Sequence, residues 1–245
     1  MTIPLPEETQ VFTSLKRASA VDAVHDRLLT AIAVGAYSTG QALPAERDLA
    51  TMLDVSRATL RGAIERLVEQ GLLESRRGRG GGTFVTGRSW REVEPETVRR
   101  TLHEQLPALA ELFDQRRLVE AMIAGVAAER RTPEQAARLL ELATEFEGAG
   151  DDMETARRLD DALHGLVVAC AGNTRLARLS HELTAEATLG FASEPYTPEF
   201  YAMAVGEHRA LAEAVARGDV EAARTTAREH FRITELTMQA TLGEE

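Results

Sequence analysis

The sequence predicts a mainly α-helical chain in two parts, with three helices and a β-hairpin in front of an all-α antiparallel bundle of about seven helices. Apolar residues recur at helical spacing along most of the 245 residues. Short strand-like runs occur only on either side of a glycine-rich stretch near residue 80. The boundaries that follow are a flexible tail at 1–14, a front domain at 15–86, a linker at 87–95 and a helical domain at 96–242. Within the helical domain we expect helices at 96–105, 107–130, 133–147, 151–171, 173–191, 198–217 and 219–242.

The charge is divided unevenly between these two parts. The net charge is −11, yet residues 15–91 hold 12 basic and 8 acidic side chains. Residues 92–245 hold 16 arginines and 29 acidic side chains. A basic surface attracts nucleic acid, whereas an acidic one repels it. The front domain is therefore the candidate for DNA binding, and the helical domain must serve another purpose.

The cysteine count and the hydropathy pattern bear on the cellular compartment. Cys170 is the only cysteine, so the chain cannot form an intrachain disulfide, which suits a reducing cytosol. No early apolar run has the shape of a signal peptide, and none approaches the length of a membrane span. We expect a cytoplasmic protein with no membrane partner.

Three helices are predicted in the front domain from their caps and their spacing. The first covers about 19–35, where apolar residues share one face. The second covers 44–53, with Pro44 in the first turn, where its missing N–H costs no hydrogen bond. Ser56 can cap the third helix, and Gly71 can end it in a left-handed conformation. The second and third helices are thus joined by a tight turn.

Two short strands follow, at about 72–75 and 83–86, and a glycine- and arginine-rich tip joins them. The order of three helices and a hairpin is typical of a winged helix-turn-helix. The local sequences read LPAERDLA at 43–50, VSRATLR at 55–61 and GRGGGTFV at 78–85. This series of motifs resembles the GntR family of bacterial transcription regulators.

The start of the third helix carries the candidate base-reading residues. A helix-turn-helix lays its second helix in the major groove of DNA, with the N-terminal residues of that helix against the base edges. Here these residues are Ser56, Arg57, Thr59 and Arg61. Arg57 and Arg61 are four residues apart and share one helix face, and each guanidinium can bind guanine O6 and N7 through two hydrogen bonds.

Further DNA contacts are expected on either side of that helix. Arg47 lies at the start of the preceding helix, where it can meet a phosphate. At the hairpin tip, glycine permits close backbone approach and arginine suits a narrow minor groove. The candidates there are Arg77, Arg79, Gly80 and Gly82. The resemblance implies that Arg47, the two arginines of the third helix and the hairpin tip contact operator DNA.

Four potential metal ligands are spaced so that a helical bundle can bring them together. Asp160 and His164 are four residues apart and lie on one helix face. His208 and His230 stand on either side of a predicted interhelix turn at Gly218, so antiparallel helices would place them side by side. The other histidines lack such partners and are interpreted as structural; they are His25, His103 and His181.

These ligands belong to a longer motif. The sequence reads Asp160…His164, Gly172-Asn173, Glu207-His208, Gly218-Asp219 and His230. This order resembles the FCD effector domain of the FadR subfamily of GntR regulators, in its seven-helix version. The resemblance implies a divalent metal ion held by Asp160, His164, His208 and His230. Zinc is our first choice, and nickel, manganese and iron are the alternatives for imidazole and carboxylate ligands.

Two further residues are assigned to effector binding. Arg117, followed by Glu120, matches another landmark of the FCD domain. The resemblance implies that this arginine faces a cavity and pairs with a carboxylate effector, and a guanidinium fork suits that partner. Arg116 is the neighbouring competitor for the role. Asn173, from the Gly-Asn pair of the motif, is the second predicted effector-binding residue.

Three functions are compatible with this interpretation. The leading hypothesis is a ligand-responsive homodimeric repressor that binds a pseudo-palindromic operator, with one recognition helix per half-site, and senses a small carboxylate. The second is a DNA-binding protein whose metal ion only stabilises the helical domain. The third is a metal-dependent enzyme, since a metal ion with an open position can activate water. No recognisable general-base motif accompanies the ligands, so we assign no catalytic residues and predict that the protein is not an enzyme.

Overall fold

The computed structural model describes residues 19–188 and 197–243. The predicted flexible tail at 1–14 lies outside the described residues. So do the last residues of the helix predicted at 173–191.

The front domain has the predicted order of elements. It comprises α1 Ala20–Ala33, α2 Glu46–Met52, α3 Arg57–Glu69, β1 Leu73–Arg76 and β2 Gly82–Val85. Ser19 and Ser56 cap α1 and α3, because each hydroxyl oxygen accepts a backbone N–H from three residues further on. Gly71 follows α3 with a φ of 73°, a left-handed conformation that glycine favours. The prediction of three helices followed by a hairpin is confirmed.

The hairpin, which we call the wing, is joined to the connection between α1 and α2. β1 and β2 pair antiparallel, and the 35–43 segment runs along the other edge of β2. The carbonyl of Val85 accepts the N–H of Gly40 at 2.8 Å, and the N–H of Val85 donates to the carbonyl of Gln41 at 2.9 Å. The 35–43 segment and the wing therefore form one hydrogen-bonded unit.

One long helix replaces two predicted ones. After the one-turn helix α4 (Trp90–Val93), α5 runs from Pro95 to Arg130. The predicted division into helices at 96–105 and 107–130 is wrong, because α5 continues through Pro107. A proline inside a helix costs about 3 kcal/mol. Residues before and after Pro107 are buried in packed clusters, and this burial offsets the lost hydrogen bond.

The rest of the chain is an all-helical bundle built around α5. It comprises α6 Pro133–Glu147, α7 Met153–Ala171, α8 Thr174–Ala187, α9 Pro198–Arg217, α10 Val220–His230 and α11 Ile233–Leu242. The single helix predicted at 219–242 is wrong, because it is interrupted after His230. Phe231 and Ile233 are both buried in the rear core, and two residues so spaced would face opposite sides of one continuous helix. The described residues thus contain seven bundle helices, α5 to α11, as predicted in number.

Helix α5 contributes to both hydrophobic cores. Its first half packs against α1 of the front domain, and its residues Val98 and Leu102 belong to the front core. Its second half packs in the rear core through Ile123 and Ala127. Among the helices within 19–188 and 197–243, none is long and apolar enough to cross a membrane.

Helix α3 contains a glycine that the packing does not require. Gly62 has an ordinary helical φ, and an added Cβ would lie 3.4 Å from a methyl group of Val21 in α1. We expect Gly62→Ala to raise the free energy of unfolding by about 0.5–1 kcal/mol, because glycine loses more backbone entropy on entering a helix. Urea unfolding monitored by circular dichroism measures this change.

The matched control is Gly71→Ala, just beyond the same helix. Its positive φ strains any side chain, so this variant should be less stable than wild type. A destabilised Gly62→Ala would show that α1 and α3 pack too tightly to accept the methyl group.

Candidate metal centre and DNA-reading surface

The start of α3 is fixed by its own cap. The hydroxyl oxygen of Ser56 accepts the backbone N–H of Thr59 at 3.1 Å, and the two side-chain oxygens lie 2.8 Å apart. This capping leaves the N-terminal turn exposed, with Arg57 and Arg61 directed away from the core. The two hydroxyls predicted to contact DNA therefore also hold the helix end in shape.

The arginines of α2 and α3 occupy one exposed surface. Arg47 and Arg57 both line a shallow concavity between the two helices. The Nη2 of Arg61 donates to Glu46 at 2.8 Å, and the Nε of Arg47 donates to Asp48 at 2.9 Å. Each hydrogen bond raises the pKa of its arginine. Because these ion pairs are exposed, they contribute little to the stability of the fold. The guanidinium groups therefore remain available to another anion, such as a phosphate group.

The wing tip depends on glycine. Gly78 and Gly80 have φ values of 97° and 86°. An added Cβ on Gly81 would lie 2.4 Å from the carbonyl oxygen of Arg76, so no side chain fits there. Gly82 begins β2. The tip also exposes two arginines, Arg77 and Arg79.

The structure brings the four predicted metal ligands together. The Nε2 atoms of His164, His208 and His230 lie 3.0–3.2 Å from one another. Oδ1 of Asp160 lies 3.1 Å from the His208 Nε2 and 3.4 Å from the His164 Nε2. Ligands placed tetrahedrally at about 2.1 Å from a metal ion are about 3.4 Å apart. The cluster is therefore close to the size that such an ion requires.

Three helices position this centre. α7 provides Asp160 and His164 from adjacent turns, α9 provides His208, and α10 provides His230 in its last turn. Oε2 of Glu207 lies 2.9 Å from the His230 Nδ1, so a proton on Nδ1 leaves the Nε2 lone pair for a metal ion. Such an outer carboxylate is a common support for metal-ligating histidine.

Burial and the neighbouring groups set the charges in the centre. Burial lowers the pKa of His208 and of His230, and so favours the neutral imidazole that can ligate a metal. Burial alone would raise the pKa of Asp160. Charge interactions and hydrogen bonds with His164 and His208 outweigh it and hold that pKa well below its usual range. The ionised Asp160 carboxylate and the neutral imidazoles of His208 and His230 are therefore available as ligands, a set that suits a divalent cation.

A cavity of about 320 Å³ opens beside the centre. Its wall is formed by α7, which includes Asp160 and His164, by α5 and α8, and by Phe231. Arg116 is 2% exposed, and its guanidinium donates to the hydroxyls of Thr234 at 3.0 Å and Thr184 at 3.2 Å. It also lies 4.6 Å from the ring centre of Phe231. A buried positive charge thus lies in the same cavity as two potential metal ligands.

The two predicted effector-binding residues lie elsewhere. Arg117 is not among the cavity-lining residues; it pairs with Asp114 and Glu235 on another side of α5. Adjacent residues on a helix differ in direction by about 100°, so Arg116 and Arg117 cannot face the same space. Asn173 caps α8, where its side-chain oxygen accepts the N–H groups of Arg175 and Leu176.

Most residues of the cavity wall were not predicted from the sequence. The hydroxyl of Ser180 donates to the buried carboxylate of Glu120 at 2.6 Å, and both residues line the cavity with His181 and Thr184. A signal was present, since Arg116 and Glu120 share one helix face, as do Ser180 and Thr184. Polar residues at this spacing occur on many amphipathic helices, so the spacing alone did not identify a cavity.

Residues 20–85 match the family described as bacterial regulatory proteins, gntR family, and residues 111–233 match the FCD domain. The chain belongs to the GntR family. It is a DNA-binding transcription regulator with a C-terminal FCD domain, and not an enzyme.

Several relatives in this family match over most of their length. A Mycobacterium gastri protein described as the HTH-type transcriptional regulator RmpR is 35% identical over 240 residues, which cover 95% of this chain and 85% of the relative. An Escherichia coli protein described as an L-lactate dehydrogenase operon regulatory protein is 30% identical, covering 89% and 86%. The galactonate operon transcriptional repressor of Escherichia coli is 28% identical, covering 79% and 85%.

The pKa shifts in this centre predict how the metal-free protein responds to pH. We expect its free energy of unfolding to fall as the pH is lowered from about 7 to 5. Burial lowers the pKa of His208 and His230 in the folded chain, so the unfolded chain takes up protons first, near the ordinary histidine pKa of about 6.5. The stabilisation from these two histidines is complete above the unfolded pKa of about 6.5. It is lost as the pH falls from there towards their lower pKa in the folded chain. Urea unfolding in EDTA at several pH values measures it.

The double variant His208→Gln, His230→Gln should show a weaker dependence on pH over this range. His103→Gln, at an exposed position of α5, is the matched control and should retain the wild-type dependence. If the double variant kept the full slope, the acid sensitivity would have to come from other groups.

Proposed function

We propose that this regulator is a homodimeric, ligand-responsive repressor that senses a small organic acid in a metal-containing FCD domain. The observation that carries the proposal is the buried His/Asp centre that opens on a cavity containing a buried arginine. A metal ion and a guanidinium both bind carboxylates strongly.

The proposed metal ligands are Asp160, His164, His208 and His230. Three imidazoles and a carboxylate suit zinc first, with nickel, manganese and iron as alternatives. If a divalent ion there accepted one ligand beyond these four, an oxygen of the effector would supply it. Because Asp160 and His164 line the cavity, an effector could reach the ion without disturbing the rear core.

The proposed effector is a small carboxylate that bridges the metal ion and Arg116. A volume of about 320 Å³ lies at the small end of the range for ligand sites, which favours a compact acid. Hydroxyl and carboxyl groups at Ser180, Thr184 and Glu120 could bind further polar groups of the ligand. The names of two relatives refer to an L-lactate dehydrogenase operon and to a galactonate operon. Lactate and galactonate are both hydroxy acids. A hydroxy acid suits the polar cavity of this chain.

On the DNA side, we propose that α3 enters the major groove. Arg57 and Arg61 would read base edges, Arg47 would contact phosphate, and the wing would approach the minor groove. The remaining proposed contacts are Ser56, Thr59, Arg77, Arg79, Gly80 and Gly82. We also propose a cytoplasmic location, because the DNA of a bacterial cell lies there.

The dimer is proposed because a pseudo-palindromic operator presents two half-sites. Helix α5 supplies an apolar surface for it, since Leu118 is 49% and Met122 is 40% exposed, one turn apart. Arg224 and Arg228 of α10 border the same surface. A mixed apolar and charged strip of this kind is typical of an interface rim and core.

The alternative is a metal ion that only stabilises the fold of a DNA-binding protein. Its supporting observation is the depth of the centre, because Asp160, His208 and His230 are almost fully buried. A structural site needs no access, whereas a sensing site does. The response to carboxylates separates these two functions.

Elemental analysis with thermal-shift measurements tests the proposal. We expect one zinc ion per chain, and none in His208→Ala. A set of small hydroxy acids, tested with zinc-loaded and EDTA-treated protein, should stabilise only the loaded form. A ligand at about 100 times its Kd adds about 2.7 kcal/mol to the free energy of unfolding.

The neighbouring arginines of α5 supply matched variants for this measurement. Arg116→Met should lose the carboxylate-dependent shift, and Arg117→Met should keep it, because only Arg116 lines the cavity. A shift that persists in Arg116→Met, or in metal-free protein, would contradict the proposed bridge. Zinc binding with no response to any acid would favour the stabilising role.

Binding to duplexes selected from a random pool tests the DNA-reading surface. Arg57→Ala should weaken binding to the selected sequence by about 1–3 kcal/mol, since a bidentate contact to guanine is worth that much. Arg99→Ala, an exposed arginine in the first turns of α5, should bind as wild type does. Equal affinity of Arg57→Ala and wild type would refute our placement of α3 in the groove.

A further inference from the structure

A buried arginine links the metal-bearing helix to the front domain. Arg157 lies in α7 and is 4% exposed. Its Nη1 donates to the hydroxyl of Ser38 at 2.9 Å and to Oε1 of Gln41 at 3.2 Å, and its Nη2 donates to the carbonyl of Gly35. All three acceptors belong to the 35–43 segment.

The 35–43 segment is hydrogen-bonded directly to the wing. It pairs with β2 through backbone hydrogen bonds of 2.8–2.9 Å, two of them to Val85 and one to Thr83. The Oε1 of Gln41 also accepts the N–H of Ser38 at 2.9 Å, which closes the segment on itself. Arg157 is therefore bonded to a segment that is itself hydrogen-bonded to strand β2 of the wing.

The other end of the same helix face belongs to the metal centre. Arg157 precedes Asp160 by three residues and His164 by seven, so all three lie within two turns of α7. Asp160 and His164 are potential metal ligands and line the cavity. A shift or rotation of α7 caused by a bound ion or acid is carried directly to Arg157, because a packed helix moves as a stiff unit.

We propose that Arg157 is the positioning residue that couples the occupancy of the metal centre and its cavity to the wing. This inference rests on the proposed function and adds the route of its regulation. A guanidinium fork with several fixed acceptors tolerates little displacement. One arrangement of α7 keeps these hydrogen bonds and another strains them, so occupancy biases the position of the wing on DNA.

Two other polar contacts of the front domain lie near the start of α5. Arg100 of α5 donates to Asp26 at 2.8 Å, and Gln70 donates to Glu94 at 2.6 Å. Both pairs lie near the start of α5, which provides none of the four metal ligands. Among these contacts, only that of Arg157 connects a ligand-bearing helix to the front domain.

Hydrogen exchange measured by mass spectrometry, with Zn²⁺ alone as the probe, tests this coupling. In wild-type protein, adding Zn²⁺ to the EDTA-treated chain should change exchange in 35–43 and 82–85 by about fivefold or more, the lower end of ordinary allosteric coupling. In Arg157→Met this change should disappear, while the Zn²⁺ affinity stays near that of wild type. Arg158→Met, the exposed neighbour on α7, is the matched control and should respond as wild type does.

A second variant approaches the same contact from the front domain. Gln41→Ala removes an acceptor of Arg157 far from the metal ligands. It should also bind Zn²⁺ normally and show a weaker wing response. This variant keeps the test decisive if Arg157→Met does not fold, because its sequence change leaves the rear bundle intact.

The possible results distinguish a failure of the Arg157 coupling from a failure of the proposed metal site. If wild-type protein binds Zn²⁺ and its wing does not respond, or if Arg157→Met and Gln41→Ala respond as wild type does, the coupling role is overturned and the metal centre stands. If wild-type protein binds no Zn²⁺, the assignment of zinc in the proposed function fails, and the coupling of zinc occupancy to the wing fails with it.

Discussion

The continuity of α5 is the constraint on which the rest of the molecule depends. Its first half completes the core of the DNA-binding domain, and its second half forms the centre of the FCD bundle. Pro107 removes one backbone hydrogen bond, but apolar burial on both sides keeps the helix whole. Because α5 is one rod, the direction of every side chain along it is fixed by packing at both ends. Arg116 is thereby directed into the cavity and Leu118 to the surface.

The centre beside α5 shows how a bundle can hold a charged site in its core. Burial disfavours charge on His208 and His230 and so keeps their rings neutral, which is the form that binds a metal ion. Asp160 remains ionised because its histidine neighbours stabilise the carboxylate. Glu207 orients one ring from outside the cluster. A buried site with an ionised carboxylate and neutral imidazoles suits a divalent cation, and an ion there would strengthen the attraction of the cavity for an acid.

The proposed DNA-reading surface is built differently from the buried centre. Arg47 and Arg61 are exposed and pair with carboxylates that phosphate groups of DNA would replace in the proposed complex. The wing depends on glycine backbone geometry instead of side-chain packing. The wing is held in place by its backbone hydrogen bonds to the 35–43 segment. The buried hydrogen bonds of Arg157 to the 35–43 segment are therefore well placed to control it.

The sequence by itself determined the features that depend on near neighbours. Helix caps at Ser19 and Ser56, the order of helices and hairpin, and the pairing of Asp160 with His164 all follow from residues within one or two turns. Only the tertiary structure decided which of two adjacent arginines enters the cavity, whether α5 passes through Pro107, and where the last helix is interrupted. Each of these depends on packing against residues far away in the chain, as Arg116 does on Thr234. Local spacing fixes which side chains share a face, but only the complete set of packed helices fixes where that face points.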